Sequence, residues 1–347
     1  MKYRFLSILR CSACQGELKL DVVDEISVSW RKSAPTLTFR ATHCAHQDRG
    51  DCAACETKEI REGLLTCKAC QAQYPIVHSV PRMLPKAHST QKEYHQVSRH
   101  FQAQWKYWGK HARSFGKDVR GCMEYLHWTL SPQPQNSDFF NHKLILDAGC
   151  GHGKYVAALS AQSSEVVGMD ITRAIDLCQE MNGNADNVHL VQADVIHPPF
   201  ALDSFDYVFS CGVIHHTPDT RRAFAALSRL PKKGGGFGVW VYPFRAPWWE
   251  IVQGALRSLT TRLPPTLLRA LCYIPVPLLS IPKFKAYSGT SLKNSSWSEC
   301  AQVIFDFYGP KYQTHHTEKE IMKWFEQEHY EQLETGPDPT SVMGVRQ

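Results

Sequence analysis

Three glycines at alternate positions, Gly149, Gly151 and Gly153, follow Asp147 in the stretch LILDAGCGHGKY. Glycine lets a ligand approach the backbone closely, and a carboxylate just before it attracts a cation. The spacing does not suit a pyrophosphate. A dinucleotide fingerprint, G-x-G-x-x-G, would need glycine where Lys154 stands, and the phosphate loop G-x-x-x-x-G-K-[ST] is absent. Two more acids end apolar runs. Asp170 closes VVGMD about twenty residues after the first glycine, where an acid can accept both hydroxyls of a ribose. Asp194 closes VQAD, suitably placed to accept an adenine amino group. A single acid at a strand end is usually only solvated. Three at successive strand ends mark a pocket for a ligand that carries a positive charge.

The second chemistry is in the cysteines. Of 13, seven fall within the first 70 residues and six are scattered singly. Cys11-Ser-Ala-Cys14 and Cys67-Lys-Ala-Cys70 each point two thiolates to one side of a tight turn, and two such turns complete a tetrahedral sulfur site. Four protein ligands leave no position for a water, so the expected zinc is structural, and a head this small needs such a staple. Cys44, His46, Cys52 and Cys55 form either a second site or free thiols in an inserted loop, or Cys52 and Cys55 replace the first pair. Loss of the zinc is expected to unfold the head while ligand binding in a distant body falls less.

These residues need elements to hold them. Strands are expected at 143–147, 165–170, 188–192, 205–211 and 236–242, with helices at 153–162, 172–182 and 220–230. That alternation makes an α/β body with an open, mostly parallel sheet and its ligand at the carboxyl ends of the strands. The expected division is a head at 1–86 with an inserted loop, an aromatic helical connector at 87–142, and a body at 143–347 interrupted at about 244–300. The connector carries Phe101, Trp105, Tyr107 and Trp108, partly on one helical face. Thr317 and Glu320 form a capping box before a helix whose Ile321, Trp324 and Phe325 share a face. Tyr308, Tyr312, His315 and His316 stand just before it, where they could border a substrate pocket.

The run LDAGCGHG, GMDIT, NVHLVQADVIHPPF, FDYVFSCGVIHHTPD, LPKKGGGFGVWVY resembles, strand by strand, the class I S-adenosylmethionine-dependent methyltransferases, and most of all the ubiquinone-biosynthesis type. The resemblance covers about 143–242. It implies a Rossmann-like sheet with an antiparallel last strand, formed by EHYEQLETGPDPTSVMGVRQ, and S-adenosylmethionine as cofactor. It implies cofactor contacts at Asp147, Gly149, Gly151, Gly153, Asp170, Asp194 and Cys211. His215 and His216 would then sit beside the methyl group, where either could act as a base, since histidine titrates near neutrality. The N-P-P-Y signature of amide and exocyclic-amine methylation is missing after the fourth strand. Cys211 reads as a pocket wall in preference to a nucleophile. The head, ILRCSACQGEL with EGLLTCKACQAQYPIVHSVPRML, is similar to the zinc ribbon of small activator subunits that partner tRNA, rRNA and release-factor methyltransferases. In two-chain systems that surface docks on the enzyme; here it would do so within one chain.

The substrate class turns on the interruption. No acidic residue stands between Glu250 and Glu299, while Arg257, Arg262, Arg269, Lys283, Lys285 and Lys293 are all there. The same stretch carries LPPTLLRALCYIPVPLLSIPKF, which prolines break too often for a membrane span. It reads either as a lid with a solvated basic face or as a surface at 251–298 that meets a membrane and receives an anionic or lipid-linked substrate. RNA would favour aromatic residues interleaved with basic ones, so nucleic acid comes second. The net charge of +6 is mild. No continuous apolar run of signal-peptide length precedes the first cysteines, so a cytoplasmic protein is expected. The expected activity is methyl transfer to a small or lipid-linked metabolite. The alternatives are methylation of tRNA, rRNA or a translation protein, and a non-catalytic scaffold for another methyltransferase.

Overall fold

The computed structural model describes residues 1–29, 57–85, 100–104, 119–130, 138–162, 165–279, 296–338 and 340–347. Cys44, His46, Cys52, Cys55, Trp105, Tyr107, Trp108, Lys283, Lys285 and Lys293 lie outside the described residues, and with them the expectations of a second metal and of most of the aromatic connector.

In the head, β1 (Leu18–Ser27), β2 (Lys58–Cys67), β3 (Gln73–Val77) and β4 (Val80–Pro81) form an antiparallel sheet in that order. Leu18 pairs with Cys67, which brings the turn before β1 and the turn after β2 to one end of the sheet. The four Sγ atoms of Cys11, Cys14, Cys67 and Cys70 lie within 4.8 Å of one another. Four sulfurs gathered this way fit a tetrahedral zinc. Cys11 and Cys67 are buried and Cys14 and Cys70 exposed; a Cβ at Gly16 would lie 3.0 Å from the Cys67 sulfur and 3.3 Å from that of Cys14.

The body sheet has seven strands in the order β10-β11-β9-β8-β5-β6-β7. They are β5 (Leu144–Ala148), β6 (Glu165–Asp170), β7 (Val188–Gln192), β8 (Phe205–Cys211), β9 (Pro231–Trp240), β10 (Tyr330–Thr335) and β11 (Ser341–Arg346). Only β11 runs against its neighbours, as the resemblance implied. The strand expected at 236–242 starts earlier, at Pro231. Helices α1 (Val119–Leu130), α2 (Lys154–Ser160), α3 (Ala174–Asn182) and α4 (Thr220–Ser228) belong to the body. The interruption folds as α5 (Pro247–Thr260), α6 (Pro265–Leu271) and α7 (Val276–Leu279), followed by α8 (Trp297–Tyr308) and α9 (Glu318–Gln327). Leu268, Cys272 and Val276 pack on Cys300, Ala301 and Phe305 of α8 in a small core of their own. Thr317 caps α9 by accepting from the Glu320 amide, and Ile321, Trp324 and Phe325 are its buried face. No helix among the described residues is long and apolar enough to cross a membrane.

Head and body share one core. Phe5, Leu9, Ile60, Leu65 and Met83 from the head pack with Val167, Val191, Phe200 and Phe205. The head also covers the open edge of β7: the Met83 amide donates to the Gln192 carbonyl at 2.7 Å, and Arg82 bridges Gln192 in parallel. A second seam joins Arg10 to the Pro199 carbonyl and the Ala201 amide to Ile8, both at 2.9 Å. One buried charge locks the joint. The Arg4 guanidinium meets Glu165 Oε1 at 2.8 Å, and His189 Nε2 reaches the same oxygen at 2.6 Å. Burial alone would raise the Glu165 carboxyl, but the His189 bond and Arg4 hold it at about 2. The expected docking of ribbon on body within one chain is therefore present.

Candidate active site

Because β5, β6 and β7 are neighbours, their carboxyl ends bring Asp147, Asp170 and Asp194 to the wall of one cavity of about 1100 Å³. Asp147 is 2% exposed, and its Oδ2 is buried without a hydrogen-bond partner. Burial, then the neighbouring Asp170, pushes the Asp147 carboxyl up to about 8, against the pull of Lys154. A carboxyl group in that position lacks a cation. Asp170 is held rigidly: Oδ1 accepts from the Thr172 amide at 2.8 Å and its hydroxyl at 2.7 Å, and Oδ2 from the Gly151 amide at 2.9 Å. Burial raises its carboxyl while these bonds pull the other way. Two carboxylate oxygens offer about four acceptor sites, so at least one is left for a ligand. Asp194 Oδ1 accepts from the Ile196 amide at 2.9 Å.

The glycines divide between cavity wall and packing. Gly149 lines the cavity, with φ at +97°, and a Cβ there would lie 2.4 Å from the Val213 side chain. Gly151 and Gly153 do not line it. Gly151 orients Asp170 through its amide, whereas Gly153 starts α2 with φ at +86°, and a Cβ there would strike Cys178 at 2.2 Å. Cys211 is on the wall, and burial raises its thiol to about 11, so it stays protonated near neutrality.

The two histidines after β8 separate as well. His216 lines the cavity, and its Nδ1 donates to the Tyr312 carbonyl at 3.0 Å, which leaves Nε2 as the acceptor. Burial lowers it to about 4, so the ring is neutral at pH 7. His215 is fully buried, with its ring centroid 4.0 Å from that of Tyr242, and it does not line the cavity. Of Tyr308, Tyr312, His315 and His316, only Tyr312 reaches the wall. Tyr308 accepts from Gln253, His315 meets Glu250 at 2.5 Å, and His316 meets Glu320 at 3.1 Å.

Several wall residues were not legible in the sequence: Tyr125 of α1, stacked on Tyr155 at 6.3 Å; Trp240 at the end of β9 and Tyr242 after it; Val303, Asp306 and Phe307 of α8. The least expected are Ser12 and Ala13, the two residues inside the first cysteine turn. They correct the expectation of a body distant from the zinc: the metal turn is part of the cavity wall.

Comparison with known proteins agrees with both parts of the chain. The family described as "Methyltransferase domain" matches residues 146–239, and that described as "Trm112p-like protein" matches residues 2–79. An uncharacterized protein of Synechococcus sp. is 36% identical over 28% of this chain and 25% of its own length. A tRNA (carboxymethyluridine(34)-5-O)-methyltransferase of Xenopus tropicalis is 32% identical over 32% of this chain and 18% of its own. A demethylmenaquinone methyltransferase of Staphylococcus aureus is 34% identical over 26% of this chain and 39% of its own. The chain thus spans between about a fifth and two fifths of these relatives. Its body is a methyltransferase domain and its head a Trm112p-like domain. The unpartnered Asp147 oxygen and the two acids beside it fit S-adenosylmethionine, as the four gathered sulfurs fit zinc.

Proposed function

We propose that this protein transfers a methyl group from S-adenosylmethionine to a small or lipid-linked acceptor in the same cavity. The observation that carries the reading is the buried, unpartnered oxygen of Asp147, flanked by Asp170 and Asp194. In this reading Asp147 holds the cofactor's ammonium group, Asp170 its ribose hydroxyls and Asp194 its adenine amino group, with Gly149 and Cys211 against its body. When bound, the cofactor supplies a methyl group that is already electrophilic, so the chain's main task is alignment. The cavity, about 1100 Å³, exceeds the roughly 300–1,000 Å³ of ordinary ligand sites and leaves room for an acceptor. Trp240, Tyr242, Phe307 and Tyr312 wall that end. His216 is assigned the acceptor's proton, because the Tyr312 carbonyl fixes its tautomer. As a weak base it takes the proton only as the acceptor atom becomes acidic during transfer. His215 supports that ring from behind. Action in the cytoplasm is part of the same proposal.

Calorimetry tests the cofactor assignment. Asp170→Ala should weaken S-adenosylmethionine by roughly 10- to 100-fold, the worth of a charged hydrogen bond. Unchanged affinity would remove Asp170 from the site, and binding of NAD instead would overturn the reading. A second reading, methylation of tRNA, rRNA or a translation protein, is favoured by the Trm112p-like head and by the tRNA-modifying relative. Labelled methyl transfer to RNA and ribosomal fractions, run beside lipid and small-molecule extracts, separates the two. Cofactor binding without transfer to any fraction would leave a scaffold.

A further inference from the structure

Helix α5 is built inside out. Of its 14 residues only Gln253 and Arg257 are buried, and both are polar. Gln253 donates to the Tyr308 hydroxyl at 2.9 Å, and Arg257 donates to the Pro310 carbonyl at 2.6 Å and to Gln313 at 2.9 Å. These bonds fix the helix on α8 and the segment that follows it by its hydrophilic side. The other side carries Trp248, Ile251, Val252, Leu256 and Leu259, spaced as one helical face, with Trp248 63%, Ile251 73% and Leu259 64% exposed. The apolar surface continues over Leu267, Leu271 and Ile274. A soluble helix normally turns such a face inward, so this one is shaped for something outside the chain.

Charge selects the occupant. Arg245 just before α5 and Arg262 just after it are exposed, and no carboxylate occurs from Ile251 to Ser298. An aliphatic centre with a tryptophan, bounded by arginines and free of acids, complements an anionic bilayer: headgroups meet the cations, and acyl chains ask no hydrogen bond of the centre. We propose that the outer face of α5 and α6 docks on an anionic lipid surface. Val303, Asp306 and Phe307 of α8, on which α5 rests, line the cavity, so docking sets the cavity wall beside the lipid. That the docked surface delivers a lipid-linked acceptor rests on the methyltransferase reading; the docking itself does not.

The test uses the full chain in flotation with vesicles of phosphatidylcholine alone and of phosphatidylcholine mixed with phosphatidylserine. Binding is expected to the mixed vesicles and to be much weaker on the neutral ones. Each arginine near the surface is worth about fivefold, so Arg245→Glu with Arg262→Glu should lower binding at least about 25-fold. Ile251→Ser with Leu259→Ser should lower it as well, even at low salt. All four side chains are exposed, and unchanged thermal unfolding confirms that the variants fold. Brominated lipid should quench tryptophan emission in the wild type and less in Trp248→Phe. No flotation with mixed vesicles overturns the proposal. So does a dimer that Ile251→Ser dissolves, which would make a second copy the occupant, or preference for RNA lost through the arginines alone. S-adenosylmethionine affinity measured on the same variants keeps the two readings apart: intact affinity without flotation sinks only the docking.

Discussion

Asp147 is a cost to the empty protein. Its carboxyl titrates near 3.8 when unfolded and at about 8 when folded, so the unfolded chain releases the proton first. Stability contributed at this site therefore falls as pH rises through that window. Asp147→Asn should raise the melting temperature of the ligand-free protein more at pH 8 than at pH 5, while weakening S-adenosylmethionine; equal gains at both pH values would count against a buried, strained carboxyl. If His216 is the proposed base, His216→Asn should lower kcat by about 100-fold or more with cofactor affinity kept, as for loss of a general base. A turnover within a few-fold of wild type would return His216 to the pocket wall. The three acids were legible because each stands at or next to the carboxyl end of a strand, and a parallel sheet aligns its strand ends. The glycines were less so. What a missing Cβ makes room for depends on Val213 and Cys178, residues 64 and 25 positions further along the chain, and no local pattern reports that.

The first cysteine turn has two duties at the scale of the element: it gathers sulfur on one side and lines the cavity with Ser12 and Ala13 on the other. Removing the metal with a chelator, or substituting Cys14→Ser, should therefore weaken S-adenosylmethionine as well as loosen the head. Calorimetry showing full affinity in metal-free protein would separate the turn from the site. The seam beside it rests on Arg4. Arg4→Ala removes the guanidinium from buried Glu165 and should cost about 3–5 kcal/mol in denaturant unfolding, the usual penalty for breaking a buried pair. The metal turns were readable from spacing alone, since a tetrahedral site restricts its ligands. The orientation of α5 was not. Periodicity displays an apolar stripe but cannot say on which side the rest of the protein lies.

Over the whole molecule, buried imidazoles set the response to acid. Burial lowers His100 to about 3, His152, His189 and His216 to about 4, and His215 well below its ordinary value, although Glu165 opposes the shift at His189. Unfolded, each would titrate near 6.5. The unfolded chain thus binds protons that the fold refuses, and stability should drop as pH falls from 6.5 toward 4. Urea midpoints that stay level from pH 7 to pH 5 would mean that these rings take up protons in the folded protein as readily as in the unfolded one. The mostly parallel sheet was foreseeable from the alternation of strands and helices, whereas the joint between head and body depends on head residues meeting β6 and β7, more than a hundred positions along the chain. Covering that edge from within the same chain has a kinetic consequence. A tethered module faces its site at an effective concentration in the millimolar range, whatever the protein's own dilution. Specific activity should then be constant across a thousandfold dilution, and adding an isolated ribbon in trans should neither stimulate the enzyme nor displace its own.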